Sequence, residues 1–261
     1  MIHSVTSRAN SKVKMAAALE KSSSCRKRNR FLMEGPKFIH DHLARGGQID
    51  FIAVSEDASD ESLMVAKIAD NSGFVVIKVP DHIYKCISKT EAPQGITAIC
   101  PTPEHTISDI FTGGTVLVLD KVADPGNAGT AIRSAAAFGC SGIVFLKGSA
   151  YPWSPKVTRS SAGLNTAIPI CEKSNLADIP AKFPDYCILG AQSNGISMDK
   201  VFSDLTKPVC IVTGSEAHGL SETSQSTISG SVSIPMTKGV ESLNAGVSAS
   251  ILLSTLFRKS S

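Results

Sequence analysis

Residues Asp124 to Gly139 read "DPGNAGTAIRSAAAFG" and place two glycines in front of a helix made almost entirely of small apolar residues. The apolar segment 115–119 precedes them, so the order is a buried strand, a turn and a buried helix. Arg133 is the exception in that helix, and a charge held beside packed apolar residues needs a partner. The partner is either a carboxylate such as Glu216 or Asp124, or an anionic substrate group such as a phosphate.

The alternation of strand and helix continues on both sides of this stretch. Apolar runs separated by helical patterns predict strands that are buried on both faces, which is typical of a parallel sheet covered by helices. The predicted strands are Val116–Asp120, Gly142–Lys147, Ala167–Cys171, Tyr186–Ala191, Val209–Thr213 and Val232–Pro235, followed by a closing helix from Leu243 to Arg258. We therefore predict an α/β fold for this part of the chain.

The first hundred residues show a second α/β alternation. Helices are predicted at 10–21, 36–45, 61–70 and 81–88, and strands at 31–34, 49–55, 74–79 and 95–100. The segment "CPTPEHTISDIFTGG", Cys100 to Gly114, contains two prolines and a Gly-Gly pair and is the best candidate for a boundary. The predicted domains are residues 1–100 and 115–261, joined by a linker at 101–114.

Composition narrows the class of protein. The sequence is 42% hydrophobic and 19% charged, which is enough to build a sizeable core. Its apolar runs are too short to cross a bilayer and no signal-peptide core follows the first residue, so we expect a soluble cytoplasmic protein without a membrane partner. The seven cysteines are scattered singly, without close Cys or His neighbours, and therefore predict neither a metal site nor a disulfide framework.

Positive charge is concentrated at the start of the chain. Residues 1–45 contain ten Lys or Arg and three Asp or Glu, whereas residues 101–261 contain twelve of each. A local basic block of this kind indicates either a polyanionic partner or a solvated basic helix.

Three loops that follow predicted strands carry the candidate chemistry. Ligands of open α/β sheets bind at the carboxyl ends of the strands, but the loop beginning at Asp120 has neither a G-x-G-x-x-G fingerprint nor a phosphate-binding lysine. The second loop, "GSEAHG" from Gly214 to Gly219, does not place serine as a nucleophile elbow requires. Its Glu216 is either a helix-start acid or a functional group. In the third loop Ser242 is a candidate helix N-cap, and Asn244 either caps locally or reads a ligand.

Taken together and in this order, the loops resemble the three motifs of the SpoU (TrmH-like) branch of the SPOUT RNA methyltransferases. The matching positions are Asn127, Gly129, Arg133-Ser134-Ala135, then Gly214, Glu216, Gly219-Leu220, then Ile234-Pro235-Met236 and Ser242-Leu243-Asn244. The segment 154–170 is similar to the family's segment between the first two motifs. Segments 7–43 and 93–101 are similar to the ribosomal-protein-like substrate-binding domain of many rRNA-modifying members.

The resemblance implies a C-terminal parallel-sheet α/β domain with a deep trefoil knot and a smaller N-terminal RNA-binding domain. It also implies a homodimer that methylates a ribose 2′-hydroxyl in RNA, with rRNA favoured over tRNA and S-adenosyl-L-methionine as the cofactor. The catalytic residues it implies are Arg133, Asn127, Glu216, Ser242 and Asn244, with Arg133 either taking the hydroxyl proton or positioning the RNA. The cofactor-binding residues it implies are Thr213, Gly214, Ile234, Met236 and Leu243.

RNA contacts are expected where the basic block and the resemblance coincide, and on one later segment. The candidate RNA-binding residues are Arg26, Lys27, Arg28, Arg30, Lys156 and Arg159. The alternatives are an inactive RNA-binding ribosome-assembly factor of the same fold and a tRNA 2′-O-methyltransferase. A Rossmann-type small-molecule enzyme is disfavoured because the glycine fingerprint is missing.

Overall fold

The computed structural model describes residues 2–172 and 174–260. The chain forms two compact units: the first contains the residues up to Pro103 together with Trp153–Ala167, and the second contains Glu104–Pro152 and the residues from Ile168 onward. The segment 153–167 therefore packs with the beginning of the chain, although the sequence analysis placed it in the range 115–261. As functional domains, 1–100, 101–114 and 115–261 stay a prediction.

The first unit is built on a mixed sheet with the strand order β1-β4-β3-β5-β2. Its strands are β1 (His3–Ser4), β2 (Arg30–Glu34), β3 (Phe51–Ser55), β4 (Val76–Val79) and β5 (Ile96–Pro101). Strand β4 pairs in parallel with β1 and β3, while β5 pairs antiparallel with β2 and β3. Its helices are α1 (Ser11–Ala18), α2 (Ser22–Arg28), α3 (Pro36–Ala44), α4 (Asp60–Asn71), α5 (Asp81–Ile87) and α7 (Pro155–Ser160).

Helix α2 was not predicted, because the sequence indicated one helix over 10–21 and no further helix before the strand at 31–34. Its sequence, SSSCRKR, has weak helix formers at the start and only Cys25 as a buried apolar residue. The Cys25 thiol donates to the carbonyl of Leu19 at 2.9 Å, and the helix ends where Asn29 adopts a left-handed conformation with φ 50°. The basic block is thus a short helix whose last turn carries Arg26, Lys27 and Arg28.

The segment 153–167 is part of the core of the first unit. Trp153 is only 2% exposed, and its ring lies 5.1 Å from that of Phe31, centroid to centroid. Gly163 has φ 73°, and a Cβ added there would stand 3.2 Å from the Cβ of Phe38. The segment therefore fits the β2–α3 region closely, with no room for a side chain at position 163.

The second unit contains a sheet whose described strands are all parallel, in the order β11-β9-β10-β6-β7-β8. The strands are β6 (Val116–Leu119), β7 (Gly142–Phe145), β8 (Ile170–Glu172), β9 (Cys187–Ser197), β10 (Val209–Thr213) and β11 (Gly230–Ser233). The helices are α6 (Pro125–Ala137), α8 (Ile179–Lys182), α9 (Met198–Ser203), α10 (Glu222–Thr227) and α11 (Ala245–Ser260). The predicted parallel sheet is confirmed, whereas the trefoil knot stays a prediction.

Strand β9 is longer than predicted because it leaves the ladder and returns. Its pairing with β11 moves from Gly190 directly to Ile196, while β11 advances by one residue, from Ser231 to Val232. The intervening residues are polar or small, so they give no apolar pattern that would predict a strand. They form an excursion, residues 191–195, at the carboxyl-terminal half of the strand.

Part of the predicted linker is folded into the second unit. Ile110 and Phe111 are buried in its core with Val116 and Val144, and the amide of Gly113 donates to the Tyr186 hydroxyl at 2.7 Å. These contacts fix the chain just before strand β6. Within the described residues, no helix combines the length and the hydropathy needed to cross a membrane.

Candidate active site

Helix α6 presents the first motif from a capped start. The Asp124 carboxylate accepts from the amide of Asn127 at 2.8 Å, and Pro125 occupies the first helical position. Gly126 and Gly129 therefore lie inside the helix rather than in a phosphate-binding turn, so the expectation of a turn at these two glycines was wrong. Gly246 packs against this helix, because a Cβ there would stand 2.9 Å from the carbonyl oxygen of Asn127.

The second motif forms a tight loop directly after β10. Ser215 and Gly219 exchange two backbone hydrogen bonds of 3.1 and 2.9 Å, and Gly219 has a left-handed φ of 64°. A Cβ on Gly214 would lie 2.3 Å from the Gly219 backbone, so glycine is required there. The loop holds Glu216 at its exposed tip.

Three side chains from the three motifs form one chain of hydrogen bonds. Asn244 Oδ1 accepts from the first amides of α11, those of Gly246 at 2.9 Å and Val247 at 3.2 Å. Its Nδ2 therefore donates to Asn127 Oδ1 at 2.6 Å, and Asn127 Nδ2 donates to Glu216 Oε1. The same carboxylate oxygen accepts from the amide of Ala245 at 3.0 Å.

The donor-to-acceptor direction of these hydrogen bonds is fixed by the first of them, at the start of α11. A helix start offers only N–H donors, so the amide oxygen of Asn244 must face it, and each following amide is oriented in turn. The chain of hydrogen bonds ends at Glu216 Oε1, which only accepts, from Asn127 and from the amide of Ala245. The three motifs are thus locked together by Asn127, Glu216 and Asn244, and Asn244 is both a helix cap and a partner of the site.

A cavity of about 440 Å³ lies beside this chain of hydrogen bonds. The five residues predicted to bind the cofactor, Thr213, Gly214, Ile234, Met236 and Leu243, all line it. Glu216 and Ser242 also line it, whereas Asn127 and Arg133 do not. Thr213 is 3% exposed, and its hydroxyl has no hydrogen-bond partner, so a buried polar group at the wall is available to a ligand.

Sequence reasoning missed one wall of the cavity. Gln192, Ser193 and Asn194 of the β9 excursion line it, as do His218, Gln225, Glu241 and Ser248. The signal was available, since a polar run directly after an apolar parallel strand marks the ligand-binding edge of such sheets. Among the described residues, no three His, Cys, Asp or Glu side chains are grouped as metal ligands.

Arg133 is exposed on α6, and it has neither a hydrogen bond nor an ion pair in the described structure. The expectation that its helix leaves no solvated face was wrong, because Gly126, Thr130 and Ala137 are exposed along the same side. Of the two carboxylates considered as partners, Asp124 caps the helix and Glu216 accepts from Asn127. The guanidinium is therefore accessible to a molecule outside this chain.

The six candidate RNA-binding residues all belong to the first unit. Arg26, Lys27, Arg28 and Lys156 are exposed. Arg30 differs because its Nε donates to the Asp50 carboxylate, so part of its charge is already compensated. Arg159 is half-buried near Glu20, where burial raises the pKa of that carboxyl group and the Arg159 charge opposes the rise.

Replacing Asn244 with Asp separates its two roles. Aspartate still caps α11, so we expect thermal stability to change by only a few degrees, but a carboxylate cannot donate to Asn127 and should lower catalytic turnover about tenfold. Thermal unfolding and steady-state turnover check this. Asn10→Asp is the matched control, since Asn10 caps α1 by accepting from Lys12 at 2.9 Å without entering any such chain. Full turnover in Asn244→Asp would contradict the prediction.

Comparison with known proteins identifies the family of the chain. Residues 114–254 match the SpoU rRNA Methylase family, and residues 10–98 match the MRM3-like substrate binding domain. The chain belongs to the SpoU rRNA Methylase family. The resemblance stated from the three motifs is confirmed, and so is the resemblance of the first hundred residues to a substrate-binding domain.

Individual relatives match over nearly the whole chain. A TrmH family protein of Staphylococcus saprophyticus is 32% identical, over 86% of this chain and 94% of its own. The 23S rRNA (guanosine(2553)-2′-O)-methyltransferase of Bacillus subtilis is 26% identical, over 95% and 97%. The AdoMet-bound rRNA methyltransferase from Sinorhizobium meliloti superposes with a TM-score of 0.85 at 27% identity, covering 99% and 98% of the two chains.

Proposed function

We propose that this protein transfers a methyl group from S-adenosyl-L-methionine to a ribose 2′-hydroxyl of rRNA. The observation that carries the proposal is the hydrogen-bond chain from Asn244 through Asn127 to Glu216, which joins the three family motifs at the edge of a cavity. The B. subtilis relative is named as a 2′-O-methyltransferase of 23S rRNA, and the S. meliloti relative as AdoMet-bound. Both names support the substrate, the position of the methyl group and the cofactor.

The cavity fits S-adenosylmethionine on its own chemistry. Its volume is in the range of small-molecule sites, and its wall combines apolar side chains with the unpartnered hydroxyl of Thr213. Thr213, Gly214, Ile234, Met236 and Leu243 would hold the cofactor. When bound, S-adenosylmethionine supplies an electrophilic methyl group on a sulfonium centre.

The remaining task for the protein is to hold the ribose hydroxyl in line with the methyl group and to favour loss of its proton. A hydroxyl is a weak nucleophile, so a neighbouring group must hold it in line and favour loss of its proton. We assign the positioning of RNA phosphate and hydroxyl to Arg133, because its guanidinium is exposed and presents a planar set of donors. Glu216 and Asn127 hold the surrounding loops, and Ser242, which lines the cavity, is assigned to the substrate side of the site.

A second copy of the chain would complete this site. Arg133 does not line the cavity of its own chain, and it lies on α6, which packs against α11 through a hydrogen bond of 2.6 Å between Ser134 and Ser250. Helix α11 also exposes two large apolar side chains, Val247 at 42% and Phe257 at 43%. A partner subunit packed on this helix would cover them. We propose a homodimer in which Arg133 serves the partner's cavity.

Substrate recognition is assigned to the basic residues of the first unit. Changing Lys27 and Arg28 to Ala should weaken binding to rRNA fragments and lower the slope of log K against log salt by about 0.7–0.9 for each phosphate that is no longer neutralised. Arg30→Ala should change the slope less, because its side chain is engaged by Asp50. Filter binding at several salt concentrations measures this. Lys67→Ala, on α4, removes an exposed cation elsewhere in the unit as the control. An unchanged slope would mean that α2 is only a solvated face.

Incubation of the purified chain with unmodified rRNA and methyl-labelled S-adenosylmethionine tests the proposed function. We expect label in a 2′-O-methyl nucleoside after digestion and mass spectrometry. Label on a base would overturn the ribose assignment, and label only in tRNA would move the substrate. RNA binding without transfer to either pool would support the assembly-factor alternative. The cytoplasmic location predicted from the sequence stays a prediction.

A further inference from the structure

The charged side chains that one chain contributes to the cavity have one sign. Among the described lining residues, the carboxylates are Glu216 and Glu241, and none of the others is Lys or Arg. Apart from these two acids, the described lining contains one other titratable side chain, that of His218. The rest are apolar, glycine, hydroxyl or amide side chains, which can bind polar groups whatever the net charge of the ligand. The lining therefore favours a cation over a neutral ligand of the same shape.

The two carboxylates are not equivalent. Glu216 accepts from Asn127 and from the amide of Ala245, so its charge is partly compensated and its side chain is tied to the hydrogen-bond chain. Glu241 is exposed at the cavity edge and has no ion pair in the described structure. Lys238, the nearest cation in sequence, is exposed and does not line the cavity. Glu241 is thus the uncompensated negative charge of the lining.

Methyl transfer changes the ligand by one unit of charge. The donor carries a sulfonium, an ammonium and a carboxylate, whereas the product, S-adenosylhomocysteine, is a neutral thioether with the same ammonium and carboxylate. The two are otherwise nearly identical in shape. A negative side chain at the cavity acts on this difference directly, whereas hydroxyl and amide contacts bind both ligands alike.

We propose that Glu241 is a specificity-determining residue that makes the cavity prefer the cationic methyl donor over the neutral product. This inference rests on the proposed function. As a consequence, the cavity binds S-adenosylhomocysteine more weakly than S-adenosylmethionine, because the product lacks the sulfonium charge. Product then leaves more readily, and fresh donor competes for the site.

Calorimetric titration of both ligands into the full chain and into Glu241→Gln tests the inference. We expect the Kd of S-adenosylmethionine to rise about two- to fivefold at low salt, as for an exposed charge pair, and the Kd of S-adenosylhomocysteine to stay unchanged. The rise should shrink at high salt, and Glu241→Asp should restore most of the preference. Glu222→Gln, an exposed acid on α10 that does not line the cavity, is the matched control.

The other outcomes have distinct meanings. Equal weakening of both ligands would show a structural role for Glu241 and overturn the inference, as would no change in either Kd. Repeating the titrations in a His218→Gln background removes the imidazole, and a preference that then no longer depends on Glu241 would also overturn it. Wild-type protein that binds neither ligand would overturn the proposed function itself, and this inference with it.

Discussion

Arg133→Ala is expected to lower methyl transfer to RNA by about 10²- to 10³-fold, the range for removing one preorganised hydrogen-bond donor at a reacting centre. The Kd for S-adenosylmethionine should change little, because Arg133 is exposed on α6 and is assigned to the RNA phosphate and hydroxyl rather than to the cofactor. Single-turnover transfer and calorimetry measure the two effects separately. Lys182→Ala, which removes another exposed cation of the second unit, is the control and should leave both values unchanged.

Two further results define the role of Arg133. If Arg133→Lys is as inactive as the alanine variant, the planar donor set is required rather than the charge alone. Transfer that survives in Arg133→Ala would contradict the assignment. A parallel loss of cofactor binding would place Arg133 on the cofactor in the partner's cavity rather than on the RNA.

Two inactive variants are expected to restore activity when they share a dimer. If each site combines Arg133 of one chain with Glu216 of the other, a heterodimer of Arg133→Ala with Glu216→Ala contains two different sites. One site has both residues replaced, and the other has both residues intact. By the symmetry of such a dimer, about half of the wild-type rate per dimer should return. Each chain carries a different affinity tag, and two successive purifications isolate the heterodimer before transfer is assayed.

The matched controls for this experiment are other tagged pairs. A dimer with Arg133→Ala in both chains should be inactive, and a dimer of wild type with Arg133→Ala should also show about half the rate. An inactive mixed heterodimer beside a half-active wild-type pair would show that Arg133 and Glu216 act within one chain. A chain that stays monomeric at assay concentrations would overturn the dimer itself.

The sequence predicted most of the sheet of the second unit because its strands are short, apolar and bounded by helices. It did not predict the return of β9 to the ladder at Ile196, because the residues before it are polar and the pairing is set by β11, far along the chain. Helix α2 was missed for a related reason, since serine and basic residues give no apolar periodicity and only Cys25 anchors it. Long-range partners decide both elements, and single-sequence patterns do not contain them.

For the candidate site, the sequence identified residue types but not their connections. The motifs named Asn127, Glu216 and Asn244, whereas the direction of their hydrogen bonds follows from the helix start that Asn244 caps. The prediction that the helix around Arg133 has no solvated face was wrong, because α6 keeps the side that carries Gly126, Thr130, Arg133 and Ala137 in solvent. Composition alone cannot show which face that is.

The segment 153–167 belongs by chain order to the α/β sheet of the second unit and by packing to the first. Suppose that the substrate-binding units of two relatives are exchanged by joining the genes only at the apparent junction near residue 103. Trp153 and Gly163 would then pack against the unit of the other protein. A working chimera must exchange two stretches of the gene together, residues 1–103 and 153–167, not one. The residues that determine which target is recognised are therefore not contiguous in the gene. Substitutions that accompany a change of target will occur both before and after the first motif.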